Sequence, residues 1–142
     1  MSRQIKEFRW RRRREARPGE LIAAALDLFV EKGYAATRLD EVVARAGVSK
    51  GTLYLYFSSK EELFKAVVQE GLLPILAEGE RFVATFQGSS ADLMCEIVLG
   101  WWELIGTKPI GGIPKLIMAE ARNFPEIARF YYDEVIEAVW CC

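Results

Sequence analysis

Between Ser49 and Lys60 the sequence gathers hydroxyls, ammonium groups and phenols within twelve residues: Ser49, Lys50, Gly51, Thr52, Tyr54, Tyr56 and Lys60. Together they can donate hydrogen bonds and positive charge to the phosphates and groove walls of a polyanion. Gly51 is a poor helix former, about 0.8–1 kcal/mol worse than alanine. Its benefit is a backbone that can approach a partner closely. The same set is badly suited to catalysis. The chain has no histidine, which removes the commonest general base and the commonest metal ligand. Glu61 and Glu62 are sequential on a helix start and do not converge on a site. Neither a glycine-rich phosphate loop nor a CxxC pair is present. The expectation is a non-enzyme without metal or cofactor.

These residues need elements that hold them. Pro18 suits the first turn of a helix, and Leu21, Ile22, Ala25, Leu28 and Phe29 follow on one helical face. Gly33 can end that helix in a left-handed conformation, after which Tyr34 returns the chain to the core. Thr37, with Asp40 and Glu41 behind it, reads as the cap of a short second helix. Leu39, Val42, Val43 and Ala46 form its apolar face, and Gly47 ends it. Val48 plugs the turn, Ser49 caps the next helix, and Leu53 and Phe57 face inward. Two helices this short need the first as a third wall. Ser59 with Glu62 reads as a capping box. Lys60 stands at a helix start against the macrodipole preference for acids, which a phosphate partner would explain. Isolated tyrosines are more often core aromatics, but Lys50 and Thr52 beside Tyr54 and Tyr56 reverse that preference.

Ahead of this segment, residues 1–17 form a basic arm: Arg3, Lys6, Arg9, Arg11 to Arg14 and Arg17, with Phe8 and Trp10 interleaved. Such an arm can follow phosphates or enter a minor groove, or it is a solvated tail. Residues 1–65 hold 14 Lys/Arg against 9 Asp/Glu, a net of +5, and residues 66–142 hold 5 against 11, a net of −6. A basic end on an acidic body is the asymmetry of a protein that turns one end to a polyanion.

Beyond Lys60 a helix is expected to about Arg81, kinked near Leu72–Leu73 because Gly71, Pro74 and Gly79 lie in its path. Breaks fall at Gln87–Ser90 and at Gly106–Pro114, with helices over Ala91–Ile105 and Pro114–Ala121. Asn123 reads as the cap of a last helix running to about Val139, with Pro125 in its first turn. No strand-like alternation of useful length occurs, so the fold class is all-α. The expected organisation is an arm (1–17), a helix-turn-helix head (18–65) and a helical regulatory body (66–142). Cys95 reads as a small core residue. No apolar h-region and no run of about 18 apolar residues occurs, so a cytoplasmic protein without a membrane partner is expected. Phe82, Phe86, Met94, Trp101, Trp102, Met118, Phe124 and Tyr131 are the candidates to line an apolar ligand pocket. The alternative for each is ordinary packing.

Gly33-Tyr34, Thr37, Ala46-Gly47-Val48-Ser49, Lys50-Gly51-Thr52-Leu53-Tyr54, Tyr56-Phe57 and Lys60-Glu61-Glu62-Leu63, with their spacing, resemble the TetR family of bacterial transcriptional regulators. The resemblance is densest over residues 18–68. Lys115 to Ala121, Phe124-Pro125-Glu126 and Phe130-Tyr131-Tyr132 are more loosely similar to branches that repress multidrug-efflux genes. The resemblance implies an all-α homodimer with a recognition helix in the major groove at each half of a palindrome. By position, Thr37, Lys50, Tyr56 and Lys60 would contact phosphates, and Thr52 and Tyr54 base edges or the sugar–phosphate wall. Ser49 and Gly51 complete the DNA-binding set. A small apolar ligand in the body would release the DNA, giving a ligand-responsive repressor. Family members usually continue with two more long helices that form the dimer interface, so the body is expected to be shortened. The alternative is a DNA-binding protein without ligand sensing, or a partner antagonising a full-length relative through mixed dimers.

Overall fold

A computed structural model describes residues 18–137. The basic arm and the expected end of the last helix lie outside the described residues. Helix α1 covers residues 18–32. Its apolar stripe is buried as the 3.6-residue period requires: Leu21, Ile22, Ala24, Ala25, Leu28 and Phe29 all face the core. Gly33 adopts φ 85° and its N–H closes on the Phe29 carbonyl at 2.9 Å. A left-handed turn of this kind strains any residue with a Cβ.

Helices α2 (Leu39–Ala46) and α3 (Lys50–Tyr56) follow. Gly47, at φ 69°, turns the chain between them, and Val42 and Leu53 bury their inner faces. Helix α4 (Lys60–Gly71) supplies the opposite wall through Leu63, Phe64, Val67 and Val68. It crosses residues 65–66, where head was expected to give way to body. Phe29, Tyr34 and Phe64 form a ring cluster with centroids 5.5–5.6 Å apart. Stacked and edge-to-face pairs of this kind add roughly 0.5–1.5 kcal/mol each beyond burial.

The expected kink appears as a break at Leu72 between α4 and α5 (Leu73–Thr85), with Pro74 in the first turn of α5. Helix α6 (Ser90–Thr107) starts on a reciprocal Ser89–Asp92 capping box. A 3-10 turn (Pro109–Gly111) leads into α7 (Gly112–Glu120), and α8 (Pro125–Tyr131) continues as a π-helical turn (Tyr132–Ile136). Among the described residues no strand forms. Ile110, Ile113, Leu116, Ile117, Ile127 and Val135 join the buried cluster of the head, so α7 and α8 share its core. Gly111 makes this joint possible. A Cβ there would meet the Ile105 Cα at 2.5 Å and the Leu104 carbonyl oxygen at 2.8 Å, both backbone atoms.

Three readings of the sequence are corrected. The second helix is preceded by Arg38, not Thr37, and its cap is the Glu41 carboxylate accepting the Arg38 N–H at 3.4 Å. The last helix is preceded by Phe124, with no side-chain cap, rather than by Asn123. Cys95 is exposed rather than in the core, because neither α5 nor α6 buries a residue.

Candidate nucleic-acid interface

Helix α3 is held from below and open above. Leu53 is fully buried and Phe57 nearly so. Ser49 caps the helix by accepting the Thr52 N–H on its hydroxyl oxygen at 3.2 Å, and the two hydroxyls lie 2.8 Å apart. One hydroxyl therefore donates to the other, which leaves a single hydroxyl proton for an outside acceptor. Lys50, Gly51, Tyr54 and Leu55 follow at helical spacing and all are exposed. Nothing lies within 4 Å of where a Gly51 Cβ would stand, so this face is free for a close approach. Tyr56 is also exposed.

Lys50 Nζ meets Asp40 of α2 at 2.8 Å, with both side chains more than half exposed. The pairing holds the ammonium above and the carboxyl below its ordinary pKa, first through the hydrogen bond and then through charge. A phosphate must compete with Asp40 for this ammonium. Arg45 and Lys32 are likewise engaged on the surface by Glu31 and Glu41. Arg38 forms no ion pair among the described residues, although it is exposed close to Asp40 and Lys50. Sequence reasoning did not single out Arg38 or Leu55. Arg38's adjacency to Thr37 was the available signal for the first, and the helical spacing from Gly51 for the second.

Two expected phosphate contacts are placed elsewhere. Thr37 is 2% exposed and its hydroxyl faces the Gly33 carbonyl at 2.7 Å and the Leu28 carbonyl at 3.2 Å. It closes the α1–α2 loop on itself. Lys60 points its ammonium back at the same loop, donating to the carbonyls of Tyr34 (2.8 Å), Thr37 (3.2 Å) and Ala35 (3.4 Å). Burial pulls its pKa down, with nearby Glu120 opposing. The side chain that looked unfavourable at a helix start is satisfied by carbonyls that no sequence spacing reveals.

The eight pocket candidates are not brought together. Met94, Trp101, Trp102 and Met118 are 61–76% exposed. Phe82 and Phe86 pair with each other at 5.5 Å on α5. Phe124 packs edge-on to Tyr34 at 4.8 Å, and half-buried Tyr131 is pushed up in pKa by burial. A cavity of about 400 Å³ instead opens where the end of α1 faces Ile105, Lys108 and α7, and none of the eight lines it. Among the described residues no group of His, Cys, Asp and Glu could hold a metal ion, and no helix is long and apolar enough to cross a membrane.

Comparison with known proteins bears on what this head is. Residues 21–67 match the family described as bacterial regulatory proteins, tetR family. The HTH-type transcriptional activator FasR of Mycolicibacterium smegmatis is 54% identical over 56 residues, covering 39% of this chain and 26% of FasR. The HTH-type transcriptional regulator RutR of Escherichia coli is 40% identical over 121 residues, 85% of this chain and 49% of RutR. The chain thus spans half or less of the length of these relatives. Among solved structures, a TetR-family transcriptional regulator from Mesorhizobium loti superposes with a TM-score of 0.71 at 26% identity, over 86% of this chain and 61% of its own. A gamma-butyrolactone receptor does so at 0.61 and 33% identity, over 69% and 50%. Residues 21–67 thus form a head of the TetR family of bacterial regulatory proteins, and the all-helical fold around it matches solved TetR-family regulators.

Proposed function

We propose that the chain is a transcriptional regulator that binds a palindromic operator as a homodimer, represses, and is released by a small molecule. One observation carries the DNA-binding part. Helix α3 presents Lys50, Gly51, Tyr54 and Leu55 on an open face while Leu53 is fully buried beneath them. A helix so seated can enter a major groove without repacking the core. Lys50 and Arg38 meet phosphates, and Tyr54 and Tyr56 meet the sugar–phosphate wall or base edges. Leu55 makes apolar contact in the groove, where thymine offers a methyl group. The one free hydroxyl proton of the Ser49–Thr52 pair goes to a phosphate or base acceptor. Repression is the simpler sense of regulation, since it requires only that the DNA be occupied, whereas activation needs a further contact with the transcription machinery. The gamma-butyrolactone receptor among the structural relatives supports small-molecule response in this fold.

The test is binding of the chain to its own upstream DNA across a salt series. Lys50→Ala should weaken binding and lower the slope of log affinity against log salt by about 1. Tyr54→Ala should lose affinity while largely keeping the slope. Affinity unchanged in both variants would overturn the assignment of α3. A reporter driven from the bound sequence then reads the sense: its output should rise on deletion of the regulator, and a fall would make the chain an activator.

A further inference from the structure

The cavity between α1 and the Lys108–Glu120 segment has a character of its own. Its walls are apolar: Phe29 and Val30 from α1, Ile105 from α6, and Leu116 from α7. Two cations stand at it, Lys108 and Lys115, and both are exposed. Neither is ion-paired among the described residues. Residues 66–142 carry only five Lys/Arg against eleven acids, so two unpaired lysines on one groove are a local reversal of the body's charge. The carboxylate present, Glu120, accepts the Ala35 N–H at 3.3 Å and is tied to the α1–α2 loop. A volume of about 400 Å³ lies in the range that takes a small organic ligand.

We propose that this groove binds a small apolar monocarboxylate, its hydrocarbon body against Phe29, Val30, Ile105 and Leu116 and its carboxylate between Lys108 and Lys115. Apolar walls supply the affinity, and the two ammonium groups supply the preference for an anion. One wall belongs to the helix that carries the head and the other to the body. A ligand that fits better with the walls spread therefore shifts the head relative to α7. This regulatory consequence rests on the ligand-responsive reading above, while the binding site itself does not.

The experiment is calorimetric titration of the whole chain with three molecules of one shape: 4-phenylbutyrate, 4-phenylbutanamide and 4-phenylbutylamine. The acid should bind about three- to tenfold more tightly than the amide, the range expected for two exposed charge contacts, and the amine most weakly. Combined Lys108→Gln and Lys115→Gln should erase the acid's advantage, and Ala119→Trp, which fills the groove from an exposed position, should abolish binding of all three. Unchanged helix content by circular dichroism confirms that these surface variants fold. Equal binding of acid and amide, an acid preference that survives the double substitution, or no heat from any member overturns the proposal. DNA affinity measured with each ligand separates the two readings. Acid binding without DNA release upholds the groove and fails the ligand-responsive regulator. DNA release by a neutral compound, with no heat from the acid, does the reverse.

Discussion

Lys60 holds Tyr34 twice: its ammonium donates to the Tyr34 carbonyl at 2.8 Å and lies 4.5 Å from the centroid of the same residue's ring. Three carbonyls of the α1–α2 loop are thus met by a single cation from α4. Tyr34 in turn packs on Phe29 and Phe64 in the head and on Phe124 at the start of α8. The contact chain Lys60–Tyr34–Phe124 therefore runs from the loop before α2 to the body.

Replacing Lys60 with Met keeps the aliphatic stem and removes the donors. The expected loss of stability is about 1–2 kcal/mol, since the carbonyls regain water in part. A denaturant midpoint shifted down at unchanged slope is the expected reading. If Lys60 acted only on DNA, the midpoint would not move.

The same cluster predicts an alkaline transition. Burial, with Glu61 and Glu126 nearby, raises the Tyr34 phenol from 10.0 to about 12. A group whose folded pKa is raised contributes stability in full below its unfolded pKa and loses it as pH climbs through the folded value. Stability should fall between pH 10 and about 12, with Tyr131 adding to the fall because burial raises it too. Lys60, lowered by burial, works in the opposite direction as pH approaches 10.5. Tyr34→Phe should flatten the decline in thermal midpoint over this window, and an equally steep decline would remove Tyr34 from the account.

Thr37 separates structure from recognition. Thr37→Val preserves shape while leaving the Leu28 and Gly33 carbonyls without their hydroxyl donor. It should destabilise the head by about 1–3 kcal/mol. The DNA affinity of the folded variant should be that of the parent chain, because no phosphate contact is removed. A clear loss of affinity in the folded variant, at the parent's salt slope because a hydroxyl carries no charge, would restore Thr37 as a phosphate ligand.

What was legible in the sequence follows from the range of the interaction. The buried stripe of α1, the turns at Gly33 and Gly47 and the caps at Ser49 and Ser59 depend on neighbours within a turn or two, and the pattern of residue types carries them. The hold of Lys60 on the α1–α2 loop was not legible because its partners lie 23–26 residues away. A helix N-terminus with an odd cation gives no sign of which carbonyls will meet it. The groove beside α1 was not legible for a related reason. Helix α6 is apolar on more than one side, and composition cannot say which side finds a cover. Met94, Trp101 and Trp102 stay exposed, while the cavity forms from Phe29 and Gly33 of the head with Lys108 and Leu116 of the body.

Asp40 sets the last prediction, because it competes with DNA for Lys50 at 2.8 Å. Asp40 also stands in the first turn of α2, where an acid favours the helix by about 0.3–1 kcal/mol. Asp40→Asn should therefore lower stability slightly and raise DNA affinity. The gain comes from freeing Lys50 and from removing a negative charge beside the proposed phosphate path. A rise of about three- to tenfold at low salt is expected, shrinking as salt screens the competition. Combining Asp40→Asn with Lys50→Ala tests the coupling. If Asp40 acts through Lys50, much of the gain disappears in the double variant. If the full gain persists, Asp40 repels the DNA directly and its pairing with Lys50 is incidental to binding.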